Sequence, residues 1–339
     1  MNAIAYRVDP RRGRDGLTTR VQHIPEPGPA QVVVRVRAAS LNRRDLLLMA
    51  GTYPVPMRPG AVPLVDGVGE VIAKGDTVTR AEIGDRVTGT YFVHWVDGRQ
   101  THALGSQQYG ANFDGWLADY IVLEEDSVVH PPEHLTDAEA ACLTCAGVVA
   151  WAGIATPTPV APGETVLTVG TGPVALFAVR HAKMFGARVV SITSSPEKAA
   201  RLREIGADEV VDRCATPDWE RAVLELTGGE GVEHVIDAVG MPTLPKSLAA
   251  AGYNARVNLI GAFPAPTGQG LADPLGAKYL SLRRPAVGSR ADFEAMNSAL
   301  DEHGVRPVLD RVFPFERAVD AFRHFEEGDP FGKVVITMA

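Results

Sequence analysis

The sequence predicts an α/β protein in which a doubly wound parallel sheet is inserted between two parts of a β-rich domain. Three observations carry this. A length of 339 residues exceeds one ordinary core and, at about 150 residues per domain, implies roughly two domains. Residues 1–126 set short apolar runs between turn pairs such as Pro27-Gly28, Pro59-Gly60 and Gly75-Asp76. Residues 127–302 alternate apolar strands with helical stretches, the texture of a parallel sheet covered on both faces.

In the first part, 31–38 (QVVVRVRA), 69–73 (GEVIA), 85–88 (DRVT) and 117–123 (LADYIVL) read as strands of a barrel-like domain. In the second, 165–169 (TVLTV) is apolar without interruption, and a helix over 174–185 is closed by Gly186. The strand 188–193 follows. Ser195 then caps a helix with Pro196 in its first turn, and Gly206 ends it. A strand over 209–212 comes next, and Thr216-Pro217 opens another helix in the same way. Residues 234–239 and 256–260 are further strands. From Val305 the pattern turns β-rich again, with a helix near 316–326 and a closing strand over 333–337. Residues 303–339 therefore return to the first domain.

The 33 Lys and Arg against 41 Asp and Glu leave a net charge of −8. That argues against nucleic-acid binding by phosphate neutralisation and against docking on anionic lipid. The expected partner is a small-molecule substrate, with no nucleic acid and no membrane. Cys142, Cys145 and Cys214 cannot staple a chain of this length and suit a reducing, cytoplasmic setting. The opening MNAIAYRVDP lacks a basic start followed by an apolar run, so no signal peptide is expected.

The strongest chemical signal is the glycine turn, TVLTV-Gly170-Thr171-Gly172-Pro173-Val174-Ala175. Gly170 permits the turn, Gly172 lets backbone approach a pyrophosphate, and Ala175 lets helix and strand pack closely. The diphosphate would rest on the N-terminus of the following helix, where free N–H groups attract anions. About twenty residues on, an acid is expected for the ribose of NAD. This chain has Thr193-Ser194-Ser195 instead, with Lys198 one turn along and Arg213 after the next strand. Two hydroxyls and an ammonium suit a 2′-phosphate, which favours NADPH. The plainer alternative makes Ser195 a helix cap and Lys198 a solvated lysine.

The chain resembles the medium-chain dehydrogenase/reductase superfamily, of the zinc-independent quinone-oxidoreductase-like kind. The resemblance rests on SLNRRDLLLMAGTYP (40–54), VPLVDGVGEV (62–71), LTCAGVVAW (143–151), the glycine turn, ITSSPEKAARLREIGAD (192–208), VGSRADFEAMN (287–297) and FGKVVI (331–336). It implies a GroES-like catalytic domain over 1–126 and 303–339, a Rossmann dinucleotide-binding domain over 127–302, and a homodimer. Zinc-dependent relatives have a Cys where this chain has Asn42 and a His where it has Val65; their third ligand matches Cys145, and their neighbouring acid is similar to Asp66. One thiolate without a second soft ligand does not make a three-ligand catalytic site, so no metal is expected.

Without zinc, a substrate oxygen must be polarised by hydrogen-bond donors or a proton donor. Asn42-x-x-Asp45 followed by Gly51-x-Tyr53 matches a pattern of the quinone and enoyl reductases in this superfamily. The resemblance makes Tyr53 a general acid, with Asn42 placing substrate or nicotinamide and Asp45 orienting either. Tyr53 packing its ring below a cleft is the alternative. Gly261 and Ala262, with Val287, Gly288 and Ser289, match loops that approach the nicotinamide. Arg290 meets either a pyrophosphate oxygen or a carboxylate, and Ser289 also reads as a helix cap. Tyr91, Phe92 and Trp95 form either a pocket wall or core. The expected reaction is NADPH-dependent hydride transfer to a conjugated enone, quinone or related carbonyl compound, in a cleft between the domains. Zinc-free reduction of C=O and non-enzymatic NADPH binding are the competing readings.

Overall fold

The computed structural model describes residues 2–261, 263 and 279–338. The chain runs through β1 (Asn2–Val8), β2 (Leu17–His23), β3 (Gln31–Ser40), α1 (Arg43–Met49), β4 (Asp66–Lys74), β5 (Arg86–Gly89), α2 (His102–Gly105), β6 (Tyr120–Glu124), β7 (Val128–Val129) and α3 (Asp137–Ala140). There follow α4 (Val148–Ala155), β8 (Thr165–Val169), α5 (Pro173–Met184), β9 (Arg188–Thr193), α6 (Pro196–Glu204), β10 (Glu209–Asp212) and α7 (Trp219–Leu226). Then come β11 (Val232–Asp237), α8 (Leu244–Ala250), β12 (Ala251–Leu259) and β13 (Ser281–Arg283), and finally α9 (Arg290–His303), β14 (Leu309–Pro314), α10 (Ala318–Glu327) and β15 (Lys333–Thr337).

Two compact units result: Met1–Val148 with Gly288–Ala339, and Val149–Val287. In the first, a seven-stranded sheet has the order β14-β15-β3-β4-β5-β7, with β6 also pairing with β3. β3 is its central strand, and Val32, Val33 and Val34 are fully buried in succession because both faces are covered. Ser40, near its end, stands opposite both Asp66 of β4 and Val335 of β15. That register brings the start of β4 and the start of β15 to the same end of β3.

In the second unit, six parallel strands lie in the order β10-β9-β8-β11-β12-β13. The first strand, β8, pairs with β9 on one side and β11 on the other, so the order reverses there. A crevice outside the strand ends at such a reversal is where doubly wound sheets bind ligands. Leu167, Val169, Val190, Ile192, Val235 and Val257 form part of the packed core.

Sequence texture puts the changes of domain near 126 and 302; the compact units change at 148 and 287. Hydrogen bonds explain the difference. β7 pairs with β5, the Arg290 N–H donates to Trp95 O, and Asn297 Nδ2 donates to His130 O. These tie 128–148 and α9 to the β-rich unit, although their helical texture reads like the alternation beside them. The helix expected at Thr216-Pro217 begins only at Trp219, because the Thr216 N–H turns back to Asp212 O. Among the described residues, no helix is long and apolar enough to cross a membrane.

Candidate active site

The run Asn42-Arg43-Arg44-Asp45 starts α1 because Asp45 bends back on its own cap. The Asn42 N–H donates to Asp45 Oδ2 at 2.8 Å. Leu48 and Met49 anchor the helix in the core, and the same helix carries Arg44 and Asp45 into the interior. Burial pushes the Asp45 carboxyl up to about 6, against the pull of Arg44 and of the Asn42 N–H.

Arg44 organises two phenols. Its guanidinium carbon lies 4.7 Å from the Tyr91 ring centre and 5.6 Å from that of Tyr53. It donates to Tyr109 O and Gln108 Oε1, each at 3.2 Å. Burial opposes its charge, yet Tyr91, Asp45 and Tyr53 hold its pKa above the ordinary value. The Tyr53 and Tyr91 hydroxyls are 2.6 Å apart. Tyr91 is buried, and that burial keeps its phenol protonated well beyond the usual range; Tyr53 is half-buried. Tyr91, Phe92 and Trp95 pack in sequence, at 4.7 Å and 5.7 Å between ring centres.

A lysine that sequence reasoning missed closes the site. Lys333, the first residue of β15, is fully buried. Its ammonium donates to Leu41 O at 2.9 Å, to Asn42 Oδ1 at 2.8 Å and to Asp66 Oδ2 at 2.8 Å. Asp66 Oδ1 accepts the Cys145 N–H at 2.9 Å, on a π-helical turn over Leu143–Gly147. A buried ion pair is tolerable when its remaining hydrogen-bonding capacity is filled, as here. The Gly-Lys pair in the sequence gives no sign of this depth.

These residues do not fit the zinc ion of zinc-dependent relatives. Asn42 presents an amide oxygen already bonded to an ammonium, Val65 has no donor atom, and burial pushes the Cys145 thiol strongly toward its protonated form. No group of three or more His, Cys, Asp or Glu side chains able to hold a metal occurs among the described residues.

The nucleotide half is built at the sheet reversal. Gly170 ends β8 with φ of +104°, a conformation that favours glycine. Gly172 caps α5, with Pro173 at the first helical position and Val174 after it. A Cβ on Gly172 would meet nothing within 4 Å, so the protein's own packing does not require a glycine there. Open space at the end of a twelve-residue helix fits a diphosphate. Ala175 is fully buried. Across the reversal, Asp237 ends β11 and accepts from Val239 N, Gly240 N, Thr243 Oγ1 and Ser247 Oγ at 2.7–3.0 Å, fixing the facing loop. Sequence reading missed Asp237 too.

At the end of β9, Thr193 is buried and its hydroxyl stays with the Ser195 backbone. Ser195 Oγ accepts the Lys198 N–H at 3.2 Å, so the cap is real. Ser194 and Lys198 are half-buried, and Arg213 is exposed, its N–H bonded to Thr193 O. Gly261 lies against Val239, whose carbonyl carbon would be 2.0 Å from an added Cβ, so backbone packing already requires this glycine. Ala262 lies outside the described residues.

Three expectations meet other partners. Gly288 is buried, and an added Cβ there would meet Val148 at 2.6 Å, so packing dictates its size. Ser289 Oγ serves a capping box with Asp292. Arg290 donates to the Asp126 backbone O at 2.9 Å and lies 3.5 Å from a Glu294 carboxylate oxygen. Val287 has φ of +29°, a strained value for a β-branched residue.

Residues 28–133 match the family model of the alcohol dehydrogenase GroES-like domain, and residues 173–302 match that of the zinc-binding dehydrogenases. The chain is 35% identical to a zinc-type alcohol dehydrogenase-like protein of Schizosaccharomyces pombe, over 98% of this chain and 99% of that one. It is 33% identical to a quinone oxidoreductase of Pseudomonas aeruginosa, over 86% of this chain and 83% of that one. A solved structure of a putative alcohol dehydrogenase from Sinorhizobium meliloti superposes with a TM-score of 0.92 at 34% identity, covering 99% of both chains.

Proposed function

The chain belongs to the medium-chain dehydrogenase/reductase superfamily and is an oxidoreductase, and on that premise we propose that it is zinc-independent, uses NADPH, and reduces a conjugated enone, a quinone or a related carbonyl compound. The observation that carries the reading is the Lys333 ammonium, bonded to Asn42 and Asp66 where zinc-dependent relatives collect their ligands. The ammonium occupies the Asn42 amide oxygen and an Asp66 carboxylate oxygen, so neither is free to take a metal ion. The substrate oxygen then depends on hydrogen-bond and proton donors.

The chain's own groups supply them. Asn42 Nδ2 is buried and has no partner among the described residues. Tyr53 holds the transferable proton. Tyr91 keeps its own proton and donates a hydrogen bond to the phenolate that Tyr53 leaves, while the Arg44 guanidinium under both rings favours that negative charge. When bound, NADPH supplies a hydride. Gly170, Thr171, Gly172, Pro173 and Val174 would hold its diphosphate at the α5 N-terminus. Ser194, Lys198 and Arg213 would face its 2′-phosphate, and no carboxylate stands among the last residues of β9 or in the following turn. Three unpaired cysteines suit a reducing cytoplasm. Tyr253, Tyr279 and Leu282 lie exposed beside β13, the terminal strand of its sheet among the described residues, and are the surface on which a homodimer would form.

Likeness to an alcohol dehydrogenase structure favours a second reading, direct reduction of C=O. Product analysis with an aromatic enone and NADPH separates the two. A saturated ketone supports the proposal, and an allylic alcohol supports the second reading. Tight NADPH binding without turnover of enone, quinone or aldehyde refutes both and leaves a binding protein.

A further inference from the structure

We propose that Lys333 is a positioning residue, whose buried ammonium turns the Asn42 amide so that its Nδ2 is the hydrogen-bond donor to the substrate oxygen. The inference rests on the reading of Asn42 as a substrate-facing group.

An ammonium offers three N–H donors and no acceptor. Those of Lys333 are spent on Leu41 O, Asn42 Oδ1 and Asp66 Oδ2. The lysine therefore has no donor left for a substrate, and its charge is balanced by Asp66. The amide has no such freedom of role. Turning it over would set its N–H groups against the ammonium at 2.8 Å, so its oxygen must face Lys333. Nδ2 then points away from the pair, buried and without a partner among the described residues. Buried donors are rarely left unmade. An acceptor from outside the chain, such as a carbonyl or quinone oxygen, completes this one. The needs of a buried ammonium account for all three of its bonds; what a structural role leaves unexplained is that the amide it holds keeps a buried Nδ2 with no partner among the described residues.

The test is a cycle of variants assayed for NADPH-dependent reduction of an aromatic enone. Lys333→Met with Asp66→Asn removes both charges together and leaves no unpaired buried carboxylate. It should lower kcat about tenfold, with NADPH affinity unchanged, because the amide is free to turn. Asn42→Ala should cost about a hundredfold, the scale of one lost oxyanion donor. Added to Asn42→Ala, the Lys333/Asp66 pair of changes should then cost nothing more. The same tenfold loss in both backgrounds would overturn the inference, since it marks a structural contribution indifferent to the amide. Asn42→Asp gives an independent reading should the paired variant fail to fold. It keeps an acceptor for Lys333 but has no Nδ2, and should lose as much as Asn42→Ala; full activity overturns the inference. Absence of wild-type turnover on enone, quinone and aldehyde refutes the proposed function, and this inference with it, whereas additive losses in an active enzyme refute the inference alone.

Discussion

Tyr53→Phe isolates the proton from everything else the ring does. Phenylalanine keeps the ring over Arg44, whose guanidinium carbon lies 5.6 Å away, so packing and the cation–ring contact persist. What disappears is one hydroxyl, bonded at 2.6 Å to that of Tyr91. Tyr91 is 3% exposed, and without Tyr53 its hydroxyl has no partner among the described residues. Leaving a buried hydroxyl unpaired costs about 1–3 kcal/mol of stability. General acid catalysis contributes about 10²–10⁴ in rate. Tyr53→Phe should therefore lose about a hundredfold or more in kcat and modestly lower the unfolding midpoint, with NADPH affinity unchanged. Tyr91→Phe removes a charge-assisted donor worth about 1.5–3 kcal/mol, so it should lose roughly ten- to a hundredfold while retaining the acid itself. Single-turnover reduction of an enone, where chemistry is rate-limiting, gives both numbers, and urea unfolding gives the stabilities. Full single-turnover rates for Tyr53→Phe would refute the assignment; the proton would then come from Asp45 through a water.

The remaining expectations concern the cofactor half and pH. Lys198→Ala should raise KM for NADPH about ten- to a hundredfold and leave that for NADH nearly unchanged; equal effects on both contradict the 2′-phosphate role. Gly172→Ala should leave thermal stability intact, since its Cβ meets nothing, yet weaken NADPH binding in calorimetry; unchanged binding means the diphosphate rests elsewhere. Gly261→Ala, with its Cβ 2.0 Å from Val239, should instead cost stability by roughly 1–3 kcal/mol even without cofactor, and an unchanged unfolding midpoint contradicts that packing. The Asp45 pKa is raised to about 6 in the fold, so the folded state binds this proton more tightly than the unfolded chain does. The resulting stability is complete below about pH 4 and lost as pH rises through 6. Asp45→Asn should gain on the wild type by up to about 3 kcal/mol between pH 4 and 7 in urea titrations, and a constant difference would contradict the burial argument.

How much of this could be read in the sequence depended on whether the deciding interaction was local. Thr165–Val169, Arg188–Thr193, Glu209–Asp212 and Lys333–Thr337 stand where sequence patterning puts strands, because their apolar runs and flanking turns are adjacent in the chain. Ser195-Pro196 starts α6 as expected, since a cap acts within three residues. The β1–β2 hairpin escaped notice because β2 (LTTRVQH) is mostly exposed and carries little apolar alternation. Lys333 escaped because its partners lie about 270–290 positions earlier, and a lysine at a strand start reads as solvated. Arg44 and Tyr91 were in plain view as residue types, but only folding stacks one on the other. The cap reading of Ser289 is local and stands, since its hydroxyl serves Asp292, whereas the partners of Arg290, Asp126 and Glu294, include one 164 positions away that no local pattern announces.

The central claim is that the Asn42 amide, held by the Lys333 ammonium, and the Tyr53 proton do the work assigned to zinc in related enzymes. Elemental analysis of the purified protein, paired with NADPH-dependent turnover before and after exhaustive chelation, tests it most directly. The account expects substoichiometric zinc and undiminished turnover. One zinc per chain, with activity lost on chelation and restored by zinc, would contradict it.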